Sequence, residues 1–250
     1  MPYGMYLSAA GANAQSHRLD VISNNLANVN TTGFKPHMSM IQSRHAEAIE
    51  EGEAAGGMGT IDDIGGGVII RPNETQFMQG PIRQTGNPTD MAISEPNSFF
   101  VVQRGDQQLL TRAGNFLFDS RGQLVTTHGD PVLSTGGAPI TIDPSQPYQI
   151  GDDGVVTQAG NRQSVMLARP PAPGDLSRVG DNLYQSLTRI DTVPTQLRAI
   201  KSGAIEASAV EPTGTMMQLI EATRMYEANV RMIQNQDQVM GQLISRVLQG

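Results

Sequence analysis

Three features of the sequence predict an α+β fold, mainly β between long terminal helices. Apolar residues recur at helical spacing near both ends, short β-rich runs punctuated by turn residues fill the middle, and a glycine-rich stretch separates the first helix from those runs. The two helices are expected to pair as a coiled coil, and the middle to form an antiparallel sandwich or barrel. The expected division is an amino-terminal helix over 1–34, an extended linker over 35–67, a β-rich domain over 68–200 and a carboxy-terminal helix over 201–250.

Between Tyr3 and Asn30 there is no proline, and Leu19, Ile22, Leu26 and Val29 follow 3, 4, 3 spacing, a seam of about three turns. Upstream, Ala9, Ala10, Ala12 and Ala14 offer small faces that permit close approach of another helix but bury little area. Gly33 is the expected stop, because glycine tolerates the left-handed backbone of a helix cap, and Pro36 prevents the helix from resuming. The linker carries the acidic residues Glu47, Glu50, Glu51 and Glu53 among many glycines, with a short helix expected near Met40 to Glu50.

In the middle, Asn115 to Asp119, the turn Ser120-Arg121-Gly122 and Gln123 to Thr127 read as a hairpin with glycine at its left-handed position. Other expected strands are Asp90–Ile93, Phe99–Gln103, Gln108–Thr111, Pro139–Ile142, Val155–Thr157 and Ser164–Ala168. Arg104-Gly105-Asp106, which looks like an adhesion motif, lies between two of these strands and reads as a hairpin turn.

The last segment is the most periodic. Met216, Leu219, Thr223, Tyr226, Val230, Ile233, Asp237, Met240, Ile244 and Val247 keep 3, 4 spacing to the end, in a helix expected to open near Thr213 or Gly214 with Thr213 as its cap. Asp237 interrupts that seam, and a single polar seam residue can fix register. Burying a seam residue yields about 1.5–3 kcal/mol, whereas ordering each helical residue costs about 1–2 kcal/mol. The helix pair is therefore expected to be marginal alone and to complete its fold by association.

Composition excludes several functions. A net charge of −7 without any Lys/Arg cluster argues against nucleic acid and anionic membrane surfaces as partners. The absence of cysteine removes disulfides, thiolate nucleophiles and cysteine-ligated zinc. No apolar run reaches the roughly 20 residues of a membrane span, and no cleavable secretory signal is expected, so export would need another route. No catalytic residue, metal or cofactor is expected. His17, His37, His45 and His128 lack ligand spacing, and Gly65-Gly66-Gly67 lacks the residues of a phosphate loop. Two alternatives to a structural role are a wall-acting β-barrel hydrolase using Asp119, Asp152 or Asp153, and a cap or adaptor binding through the carboxy-terminal helix.

The stretch from Leu19 to Lys35, Leu-Asp-Val-Ile-Ser-Asn-Asn-Leu-Ala-Asn-Val-Asn-Thr-Thr-Gly-Phe-Lys, resembles the amino-terminal signature of flagellar rod and hook proteins almost letter for letter. Further resemblance follows at Gln84–Asn87 with Asp90–Ile93, Phe99–Val102, Thr111–Phe116, Asp119–Pro131, Ile150–Gly154, Ser202–Ser208 and Arg224–Glu227, covering nearly the whole chain. Length and a single middle domain look like rod proteins of the FlgF/FlgG type rather than the longer hook protein. Thr89, Pro96-Asn97-Ser98 and Ala209 depart from the family pattern, which puts local contacts there in question.

The resemblance implies a structural subunit of the basal-body rod, whose paired terminal helices line a hollow shaft that transmits torque and serves as an export channel. It implies as partners further copies, other rod and hook proteins and the type III export apparatus, with outer-ring bushing proteins as candidate neighbours. It implies neither nucleic acid binding nor membrane insertion, and a place in the rod across the periplasm without a cleaved signal peptide. The expected assembly interface comprises Leu19, Ile22, Asn24, Asn25, Leu26, Asn28, Val29, Asn30, Gly33 and Phe34 at one end. At the other it comprises Leu219, Tyr226, Val230, Ile233, Asp237, Met240, Ile244 and Val247. Asn24 and Asn28, four residues apart with Asn25 beside them, are expected to form a polar ladder, since asparagine is otherwise a poor choice inside a helix.

Overall fold

The computed structural model describes residues 3–44, 65–194 and 198–248. The chain divides into two units, one of residues Met1–Ala27, His37–Thr75 and Glu211–Gly250, the other of Asn28–Pro36 and Gln76–Val210.

The first unit holds helix α1 (Tyr3–Ala27), strands β1 (His37–Arg44) and β2 (Gly67–Thr75), and helix α2 (Pro212–Leu248). α1 stops at Ala27, short of the expected Asn30. Asparagines compete with a helix by bonding nearby groups, and Thr31 donates from its backbone to the Asn28 carbonyl (3.1 Å) and from its hydroxyl to Asn28 Oδ1 (3.1 Å), forming a turn instead. α2 opens one residue earlier than expected, at Pro212, whose fixed φ and missing N–H suit a first helical turn. The Glu211 carbonyl there accepts both the Thr215 amide (3.0 Å) and its hydroxyl (2.7 Å).

The helices run antiparallel along a line of small residues against amides. A Cβ added at Gly4 would lie 2.8 Å from Gln236 Nε2, and one at Gly11 would lie 2.9 Å from Asn229 Oδ1. Moving up α1 thus moves down α2. β1 and β2 pair antiparallel from His37 opposite Thr75 to Arg44 opposite Gly67. Met40 to Arg44 is therefore strand, not the start of the expected short helix. Pairing with Val68, Ile69 and Ile70 overrides local preference there. The remainder of that expected helix, with the acidic patch, lies outside the described residues.

The second unit is built on a six-stranded antiparallel sheet. Its central strands, β5 (Phe99–Arg104) and β6 (Gln107–Thr111), are joined by the two-residue turn Gly105-Asp106, with Gly105 at φ +60°. Preceding them are β3 (Ile82–Gln84) and β4 (Met91–Ile93). The expected hairpin is present as β7 (Leu117–Phe118) and β8 (Leu124–Val125), closed by Gly122 at φ +75°. Three further strands, β9 (Gln149–Ile150), β10 (Val155–Gln158) and β11 (Asn161–Ser164), form a small sheet.

β12 (Leu167–Arg169), β13 (Leu176–Gly180), β14 (Leu183–Ser186) and β15 (Asp191–Thr192) complete the large sheet in the order β13-β14-β6-β5-β12-β15. β16 (Ile200–Ser202) pairs with β4, and β17 (Ala204–Glu206) with β3. None of the described sheets closes into a barrel. Pro139–Ile142, expected as a strand, makes only isolated bridges, Thr141 to Gln123 and Pro139 to Leu133.

The run Phe99-Phe100-Val101-Val102 is apolar without alternation because both faces of the sheet are covered. Phe100 and Val102 enter one core with Met91, Phe116, Leu124 and Val156. Phe99 and Val101 enter a second core with Leu110, Leu133 and Tyr184. Phe100 meets Phe116 edge to face at 5.0 Å, and Phe77 meets Tyr184 likewise at 5.1 Å.

Candidate functional site

In the second unit, the stretches that resemble the family signature converge on one buried cluster of charge. Lys35 ends the amino-terminal signature, Arg112 follows β6, and Glu206 ends β17. Lys35 Nζ donates to Glu206 Oε1 (2.6 Å) and to the Met78 carbonyl (2.5 Å), with the two side chains 1% and 0% exposed. The Gly80 amide donates to the same Oε1 (2.8 Å). Glu206 Oε2 accepts no hydrogen bond and faces Arg112 Nη1 at 3.5 Å. Arg112 Nη2 donates to the carbonyls of Glu95 (2.7 Å) and Pro96 (2.5 Å), and its guanidinium lies 5.4 Å from the Phe99 ring centre.

Two cations thus share one carboxylate, and backbone carbonyls absorb the excess positive charge. Burial pushes the Lys35 amine below its ordinary value, against the pull of Glu206, and Arg112 pushes it the same way. Burial likewise lowers the Arg112 guanidinium, opposed by Glu206 and Glu95.

The backbone closes around this cluster. The Gly33 amide donates to the Glu206 carbonyl (2.7 Å), the Ala209 amide to the Phe34 carbonyl (3.1 Å), and Asn182 Nδ2 to the Thr32 carbonyl (2.9 Å). Gly33 has φ +66°, and a Cβ there would lie 2.4 Å from the Arg112 carbonyl carbon. Its place is therefore the close pass beside Arg112 rather than the cap of α1. Arg178 stands 5.3 Å over the ring of buried Phe34.

In the first unit, the other expected residues take varied positions. Ile22 and Asn25 are buried, Leu19 and Leu26 half-buried, and Asn24 exposed. Asn25 exchanges two bonds with the backbone of His37, Nδ2 to the carbonyl (2.7 Å) and Oδ1 from the amide (2.8 Å). Because α1 ends at Ala27, Asn28 does not continue a helical face with Asn24. Asn28, Val29 and Asn30 belong to the turn that opens the second unit, Asn28 and Val29 half-buried and Asn30 exposed.

On α2, Leu219, Val230 and Ile233 are half-buried, whereas Tyr226, Asp237, Met240 and Ile244 are exposed. The side chain of Val247 lies outside the described residues. The line facing α1 passes through Asn229 and Gln236. Beside it, Met225, Met232 and Val239 form a heptad-spaced apolar stripe about half exposed (49%, 53% and 55%), extended by Leu243.

The carboxylates of the hydrolase alternative are occupied in turns. Asp119 Oδ1 accepts the amides of Arg121 (2.9 Å) and Gln123 (2.8 Å), Asp153 Oδ1 accepts that of Val155 (3.1 Å), and Asp152 Oδ1 that of Ser202 (3.2 Å). Among the described residues no group of three or more metal-ligating side chains gathers, and no described helix is long and apolar enough to cross a membrane.

Sequence reasoning missed Lys35, Arg112 and Glu206 as a set. Each lay inside a quoted motif, and opposite charges in motifs far apart in the chain were the available signal.

Fold and cluster together define a class: an α+β chain in which an early and a late segment are clasped into one β-rich unit, while two long helices pair in another. Residues 5–35 match the family described as flagella basal body rod protein, residues 95–158 the flagellar hook protein FlgE/F/G D1 domain, and residues 201–246 the flagellar basal body rod FlgEFG protein C-terminal family. The flagellar basal-body rod protein FlgF of Caulobacter vibrioides is 34% identical over 99% of this chain and 98% of its own length. The rod protein FlgG of Bacillus subtilis is 32% identical over 96% of this chain and 97% of its own. The flagellar hook-basal body complex protein FlhO of Bacillus subtilis is 28% identical over 98% of each. The chain belongs to the flagellar basal-body rod protein family of the FlgF/FlgG type.

Proposed function

We propose that the chain is a structural, non-catalytic subunit of the flagellar basal-body rod, joining copies of itself and other rod and hook proteins through α1 and α2. The observation that carries this reading is the half-exposed stripe Met225, Met232, Val239 and Leu243, which lies beside a helix contact made of glycines and amides. Apolar area of that extent along one helix is stabilised by removal from water, and the flexible methionines can pack against non-equivalent neighbours.

In the rod, α1 and α2 form a coiled-coil layer lining the central channel, and the second unit packs as a sandwich. The interface takes in Leu19, Asn24, Leu26, Asn28, Val29 and Asn30 with Leu219, Tyr226, Val230, Ile233, Asp237, Met240, Ile244 and Val247, whereas Ile22, Asn25, Gly33 and Phe34 serve it from inside the subunit, where they are buried or closely packed. The subunit reaches the rod across the periplasm through the type III export apparatus, and outer-ring bushing proteins surround it there.

The test is a chain carrying Met225→Gln, Met232→Gln and Val239→Gln, since glutamine preserves helix propensity. Such a chain is expected to keep its helix content and urea midpoint but to be absent from purified basal bodies, leaving cells non-motile. Normal incorporation of the triple variant would overturn the reading.

A further inference from the structure

The geometry points to Glu206 as a terminal latch: the β-rich unit closes only when residues 200–210 dock on segment 33–36, so a chain emerging amino terminus first stays open until Glu206 arrives. This goes beyond the rod reading and does not depend on it.

The case rests on chain order. Lys35 precedes Glu206 by 171 positions, and Arg112 also precedes it. Until Glu206 is present, the two cations, both buried in the closed unit, repel each other, and only Glu95, which acts on Arg112, offsets their charge. The same late segment supplies the pairing edges of β3 and β4 through β17 and β16. It also supplies the acceptor for the Gly33 amide, the donor for the Phe34 carbonyl, and the donor from Ala207 to the Pro81 carbonyl (2.9 Å). Ile200 adds a buried side chain to the larger core. A chain cut short before residue 200 retains α1 and all six strands of the large sheet but lacks the partners of β3 and β4, so it cannot present the same structure as a complete chain.

The test uses the full chain with Glu206→Gln, Lys35→Met and the double substitution, following unfolding and refolding in urea jumps by tyrosine fluorescence. Tryptophan is absent, and of the five tyrosines three lie in the other unit, so every variant also carries Tyr3→Phe, Tyr6→Phe and Tyr226→Phe, and the remaining signal, from Tyr148 and buried Tyr184, reports on this unit. A contact formed last affects unfolding far more than folding. Glu206→Gln is therefore expected to speed unfolding about 100-fold or more while changing refolding less than about threefold. Lys35→Met leaves Glu206 paired one to one with Arg112 and is expected to be milder. The double variant, with one buried cation fewer than Glu206→Gln, is expected to recover about tenfold of the loss or more.

Equal slowing of refolding by Glu206→Gln, or a double variant no better than Glu206→Gln, would overturn the latch. If Glu206→Gln does not fold, a folded double variant supports the latch and an unfolded one overturns it.

Discussion

Replacing Gly33 by alanine combines two separate penalties that can each be measured elsewhere in the same unit. The first is the backbone: Gly33 sits at φ +66°, where a Cβ costs about 1–2 kcal/mol. The second is contact: the new Cβ would lie 2.4 Å from the Arg112 carbonyl carbon and 2.6 Å from the Ala113 nitrogen, backbone atoms that cannot step aside. Overpacking of that kind costs about 1–3 kcal/mol, and the shift would lengthen the 2.7 Å bond from the Gly33 amide to Glu206. Together these give about 2–5 kcal/mol, or a fall of roughly 10 °C in the unfolding midpoint.

Two controls separate the causes. Gly105→Ala, at φ +60° with nothing within 4 Å, carries the backbone penalty alone. Gly114→Ala, outside the positive-φ region but with a Cβ 1.6 Å from the Met91 carbonyl oxygen, carries the contact penalty alone. Calorimetry of the three full-length variants should place Gly33→Ala well below Gly105→Ala. A midpoint for Gly33→Ala within about 2 °C of the parent, or no lower than that of Gly105→Ala, would refute the reasoning.

Other expectations are local. Asn25→Ala removes both bonds that Asn25 exchanges with the His37 backbone and should cost about 1–3 kcal/mol, seen as faster hydrogen exchange in β1; unchanged protection there would count against the pairing. The Arg104 guanidinium, gripping Asp130 through Nε (2.8 Å) and Nη2 (2.7 Å), holds that carboxyl below its ordinary value, with burial opposing. The resulting stability is present above the unfolded value near about pH 4 and is lost as pH falls through the lower folded value. Arg104→Gln should therefore flatten the acid side of the stability profile, and an unchanged slope would exclude this pair as a contributor.

Much of the fold was legible because periodicity and turn chemistry report local geometry. The hairpin around Gly122, the turn at Gly105 and the strand Phe99–Arg104 lie where glycine placement and apolar runs put them. The β13–β14 hairpin was missed, although Asp181-Asn182, at φ +49° and +61°, is a residue pair suited to a two-residue turn of that hand. β1 was missed because its partner β2 lies beyond a long intervening segment, and strand pairing at that distance leaves no local trace.

The face of α2 was only half legible. Apolar spacing marks Leu219, Val230 and Ile233, but the line against α1 uses Asn229 and Gln236, which a hydrophobic pattern discards. The charge clasp is faint in the sequence for a related reason: apart from their places inside motifs, Lys35, Arg112 and Glu206 each look like surface residues until three distant segments are brought together.

The chain has no cysteine of its own, so Met232→Cys provides a single reporter on the exposed stripe of α2. Its maleimide reaction rate in the dilute monomer and in purified basal bodies measures directly whether neighbours cover that stripe. A fall of at least about tenfold on assembly is expected if the stripe is an assembly surface. Equal rates in monomer and rod would contradict it.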